Sequence, residues 1–168
     1  MTDSATSPTH EGFTVGLALV DAIPVLLFGV SVILIGARWG NALFLIGAVA
    51  MFVGGASKVL WKLLIGLGKG DKPLLAKLFR PCMFGGFALV LISVIIGSFT
   101  GALSWPAVGR AIVSLPALVF FILAVAGMTA MGVLAKKMDQ TSARANWTEQ
   151  LINAFAQLML LLGIVFAV

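Results

Sequence analysis

Long apolar runs separated by short polar breaks carry the chain from Phe13 to Val168, and within each run the apolar residues are too continuous to form a one-sided stripe. Runs of that kind match helices that are covered by lipid or protein on all sides. Five of them, at about 13–38, 41–66, 82–103, 113–135 and 147–167, suit the roughly 20 residues that cross a hydrocarbon core about 30 Å thick. The predicted fold is therefore all-α: five transmembrane helices in one bundle over 13–168, preceded by a polar tail over 1–12. That tail contains no Lys or Arg, so the first run lacks the basic flank of a secretory signal and is expected to be retained.

The breaks refine this plan. Between runs two and three, GKGDKPLLAKLFRP sets Asp71 ahead of Pro73, as a helix cap followed by a first-turn proline would be. Leu74, Leu75, Leu78 and Phe79 then share one side, with Lys72, Lys77 and Arg80 elsewhere. This pattern predicts a short interfacial helix over about 72–80, with Lys69, Lys72, Lys77 and Arg80 near anionic headgroups. PAVGRAIVSL, between Trp105 and Pro116, reads equally as a surface helix or as the start of span four. Trp39, Trp61, Trp105 and Trp147 fall near the ends of runs, where indole rings favour the headgroup level.

Charge then orients the bundle. Lys58, Lys62, Lys69, Lys72, Lys77, Arg80, Lys136, Lys137 and Arg144 flank the second and fourth connections, whereas only Arg38 and Arg110 flank the first and third. The positive-inside rule places the N-terminus in the cytoplasm and the C-terminus outside, most simply in a bacterial cytoplasmic (inner) membrane. Composition agrees, with 61% hydrophobic and 10% charged residues, against about 25% charged in soluble domains. The net charge of +5 is thereby explained by topology and lipid contact, and nucleic acid is not an expected partner.

The chemistry-bearing residues are few. One cysteine, Cys82, and one histidine, His10 in the tail, give no basis for a disulfide, a metal centre or a haem, and no cofactor is expected. Six acidic residues form no catalytic constellation, so an enzyme is not expected. What remains is polar residues inside apolar runs. Asp21 stands eighteen residues before Trp39 and Lys58 nineteen after it, about 27–29 Å from the first hairpin turn on either side. An antiparallel hairpin would bring the two to one depth, where pairing offsets much of their insertion cost. Plainer readings compete: Asp21 with Pro24 as a helix start, and Lys58 snorkelling to headgroups beside Trp61.

In the last run, Asn146 and Glu149 have capping-box spacing, while Asn153 and Gln157 lie deeper on the face that carries Glu149. Those two amides serve either as interhelical glue or as the lining of a polar cavity shared with Asp21 and Lys58. Gly47, Gly54 and Lys58 share one face of run two, and Gly97 and Gly101 have GxxxG spacing in run three. Both read as close-packing surfaces, within the bundle or toward a second copy or a partner membrane subunit. Pro24 with Phe28–Gly29 and Pro81 with Phe84–Gly85 hint at a two-plus-two repeat. The leading functional expectation is a small transport protein, or a transporter's membrane subunit, with a cytoplasm-facing site at Asp21, Lys58, Asn153 and Gln157. The alternative is a non-catalytic scaffold or accessory subunit.

Overall fold

The computed structural model describes residues 14–138 and 143–167, so the expected tail over 1–12 lies outside the described residues. Helix α1 (Val15–Trp39) starts where Thr14 Oγ1 accepts a hydrogen bond from Leu17 N–H at 3.1 Å. Its stop and the next start are encoded in two residues. Gly40 takes the left-handed conformation (φ 66°) that ends α1, and Asn41 Oδ1 accepts from Phe44 N–H at 2.9 Å to open α2 (Ala42–Gly66). Asp21 is thus in the second turn of a continuous helix that also contains Pro24. The helix-start reading of Asp21 is corrected by a better cap at Thr14, about two turns earlier.

The expected interfacial helix over 72–80 is also corrected. Pro73 occupies the first turn of α3, which continues without interruption from Pro73 to Thr100 through Pro81. Packing explains the continuity: Phe79 and Cys82, on either side of Pro81, both back onto α2, at the point where Gly54 leaves room. Pro81 is exposed, and its missing N–H costs the helix one internal hydrogen bond. Asp71 does not cap α3; Lys72 holds the cap position without a side-chain bond, and Trp61 Nε1 donates to Asp71 Oδ1 at 2.7 Å.

Residues Trp105–Val113 form a separate short helix, α4, the most one-sided of the six, which resolves the ambiguity of that segment. Helices α5 (Ala117–Lys137) and α6 (Ala143–Ala167) complete the chain. Five of the six, all but α4, contain a stretch long and apolar enough to cross a membrane, and no strand occurs among the described residues. Their packed order in space is α3, α2, α1, α6, α5, an open row with α3 and α5 at its edges and α4 against α5 and α6. The five expected spans therefore pack as an open row. The hinted repeat is not mirrored, because α1 packs on α2 while α3 and α5 are not packed partners.

Glycines set the closest approaches. A Cβ on Gly47 would lie 2.6 Å from Gly86 O, and one on Gly86 would lie 2.5 Å from Gly47 O, so α2 and α3 touch backbone to backbone. Gly97 accommodates the Trp39 ring, 2.7 Å from where a Cβ would stand. Gly101 ends α3 with φ 73° and has no neighbour within the chain that a side chain would meet.

Candidate functional site

The charged site forms where α1, α2 and α6 come together near the ends that carry most of the lysines. Close contacts along the α1/α2 hairpin pair Gly66 with Val15, Gly55 with Val25, Gly29 with Phe52 and Gly36 with Leu45. These pairs place the hairpin midpoint at Gly40 and Asn41, one to two residues beyond Trp39. Asp21 then lies at a depth midway between Lys58 and Lys62, and helix face decides between them. Lys62 is two turns after Gly55 and faces α1; Lys58 is one turn after Gly54 and faces α3.

Lys62 is accordingly the residue in contact with Asp21, its Nζ 2.6 Å from Oδ2. Both are buried, Asp21 at 7% and Lys62 at 5% exposure. The contact is a buried ion pair that joins α1 to α2. Lys58, expected as the partner, instead holds its Nζ 4.8 Å from the centre of the Phe79 ring, a cation–π arrangement across α2 and α3. It still lies within the fields of Lys62, Asp21 and Glu149.

Helix α6 supplies the neutral polar groups. It begins by Ala143, so Asn146 and Glu149 are interior residues rather than the expected capping box. Trp147 packs on Gly16, which fixes the register of α6 parallel to α1, while Ala156 and Gly163 meet Gly127 and Phe121 of α5. By helical periodicity Gln150 and Gln157 share the α1-facing stripe with Trp147, and Asn153 lies beside them. Measured from the Gly16–Trp147 level, Gln150, Asp21, Asn153 and Gln157 stand at about 4.5, 7.5, 9 and 15 Å along the helix axes. Gln150 is 6% exposed and Asn153 and Gln157 are half-buried. Neither Gln150 Oε1 nor Gln157 Oε1 has a hydrogen-bond partner, although both atoms are buried.

Two buried amide oxygens of α6 without hydrogen bonds, Gln150 Oε1 and Gln157 Oε1, therefore flank the depth of the buried Asp21–Lys62 pair. An unpaired buried acceptor ordinarily costs about 1–3 kcal/mol. Such a set is chemically matched to donors: a cation, a protonated water chain or a solute rich in N–H and O–H. Among the described residues no group of His, Cys, Asp and Glu side chains is arranged to hold a metal ion.

Two members of this seam escaped sequence reasoning. Lys62 was hidden by counting depth from Trp39, yet the glycine face shared by Gly47, Gly54 and Lys58 already pointed Lys58 away from α1 if that face packs on α3. Gln150 has the seven-residue spacing to Gln157 that identifies a common stripe. Away from this site, a cavity of about 660 Å³ lies near the other end of the molecule, among Trp39, Trp105 and α4, with a mainly apolar lining. Comparisons with protein-family models, curated proteins and solved structures return no match to this chain.

Proposed function

We propose that this chain is a small membrane transport protein, or the membrane subunit of a transporter, that passes a cation or a small donor-rich solute along the α1/α6 seam. The observation that carries the reading is a buried carboxylate–ammonium pair, Asp21 with Lys62, at the depth of two buried amide oxygens without hydrogen bonds, Gln150 Oε1 and Gln157 Oε1. Amides that served only as interhelical glue would be expected to bond each other or a facing helix. Asp21 is the primary binding carboxylate, and Lys62 is its resident counter-ion, displaced when a cation arrives. Lys58 and Glu149 tune the field, and Asn153 and Gln157 continue the path inward. No covalent chemistry is involved.

The basic end of the molecule faces the cytoplasm in this proposal, supported by the nine-to-two distribution of Lys and Arg between the connections. Lys69, Lys72, Lys77 and Arg80, all exposed, would then rest against anionic headgroups of the bacterial inner membrane. Purified protein in proteoliposomes should carry H⁺, Na⁺, K⁺ or an alkylammonium ion down an imposed gradient, read by an entrapped dye or by charge displacement. Asp21→Asn should reduce that flux by about tenfold or more at unchanged protein incorporation, as loss of a charged ligand would. Absence of flux for all four cations, with a cellular phenotype that survives replacement of Asp21 and Lys62 by an apolar pair, would instead indicate the scaffold role.

A further inference from the structure

We infer that the cavity beneath α4 is a binding site for one anionic phospholipid, which holds an acyl chain between α1, α4 and α6 and its phosphate at Arg38. The cavity, of about 660 Å³, is lined along α1 by Phe28, Ser31, Val32, Ile35, Arg38 and Trp39. Its volume is that of sites for small amphiphilic ligands. Its shape is more telling than its size. Phe28 lies at the middle of the 25-residue α1, and Trp39 at its end. Eleven residues of helix span about 16 Å, which matches the roughly 15 Å depth of one leaflet's hydrocarbon. The void thus runs from mid-membrane to the headgroup level, parallel to the helices, as an extended chain does.

The mouth selects the head. Arg38 lines it, exposed and with five N–H donors suited to a phosphate. Trp39, also in the lining, packs its indole edge on Gly97. Trp105 donates to Ser98 Oγ at 3.0 Å, so Arg38 is the donor left for a headgroup at the mouth. No Asp or Glu occurs in residues 22–70, 72–138 or 150–168, which contain every residue of the lining, so no acidic side chain competes for Arg38. Helix α4 lines one side of the void with Ala107, Val108, Ala111 and Ile112, which accounts for its one-sided pattern.

Native mass spectrometry tests this on protein released from bilayers of equal phosphatidylglycerol and phosphatidylcholine. The wild type should retain one phosphatidylglycerol through detergent exchange, in clear preference to phosphatidylcholine. Arg38→Gln, an exposed change compatible with folding, should lower that retention about tenfold, with partial recovery in Arg38→Lys. Arg110→Gln, on α4 but outside the lining, should leave it unchanged. Ala111→Phe should fill the void and expel the lipid. Equal retention of the two lipids, no retained lipid, a bound free fatty acid instead of a phospholipid, or unchanged retention in Arg38→Gln would overturn the assignment.

Discussion

Removal of one partner from the Asp21–Lys62 pair should destabilise the protein far more than removal of both. At the observed 2.6 Å, two unit charges attract by about 6 kcal/mol at an effective dielectric of about 20. Against this stand two insertion penalties of about 2.5–3.5 kcal/mol each at full membrane depth. The two sides nearly cancel, so the pair is close to neutral overall. With side chains only 6% and 10% exposed, Lys62→Met strands Asp21 without its contact, and a loss of about 3–5 kcal/mol follows. Asp21→Leu strands Lys62 to a similar degree, while the double replacement should fall within about 1 kcal/mol of wild type. Lys58→Met, which removes a cation–π contact to Phe79 and a charge more distant from Asp21, should cost about 1 kcal/mol. The assay is reversible unfolding in mixed micelles, arranged as double-mutant cycles for Asp21 with Lys62 and Asp21 with Lys58. A larger coupling to Lys58 than to Lys62, or a Lys62→Met loss below about 0.5 kcal/mol, would refute the assignment of the pair.

Other regions yield independent tests. Gly86→Ala should force α2 and α3 apart at the Gly47 crossing and cost about 1–3 kcal/mol by thermal melting, whereas Gly85→Ala, with open space around it, should be neutral or slightly stabilising. Thr14→Ala removes the acceptor for Leu17 N–H and should cost about 1 kcal/mol in the same melt, while Asp21→Asn leaves that cap intact. A reporter active only in the cytoplasm should be silent when fused after Val168 and active within the loop around Lys69; the reverse pattern would invert the proposed orientation.

The spans were legible because lipid solvation demands long apolar helices, and that demand is written in composition. The stop at Gly40 and the cap at Asn41 are local chemistry, yet the turn was centred on Trp39, because an aromatic belt residue is more conspicuous than a glycine. Pro81 misled because proline ends helices in water, yet α3 is held across it by Phe79 and Cys82 against α2, a tertiary effect with no local signature. The open order α3, α2, α1, α6, α5 was illegible, since helices apolar all round do not announce which neighbour they choose. At the site, Asp21 stands within a turn of its expected distance from the hairpin turn, but its partner depended on a one-to-two-residue shift in the hairpin midpoint. That shift is smaller than a sequence reading resolves, and only the face carrying Gly55 and Lys62 separates the candidates. The two amides on α6 were found as polar residues in an apolar run, and Gln150 was overlooked beside the more conspicuous Glu149.

The central claim is that the α1/α6 seam is a hydrated path rather than a dry joint. Cys82 is the chain's only cysteine, so a Cys82→Ser background allows a single thiol to be placed at Gln150 or Gln157. Rates of reaction with a small, charged thiol reagent applied from the cytoplasmic side measure water access directly. The account predicts that Gln150→Cys and Gln157→Cys both react, within about tenfold of an exposed control at Lys72, and that the transported cation slows both. Inert thiols at both positions, in protein that is folded and correctly inserted, would contradict it and leave the amides as interhelical glue.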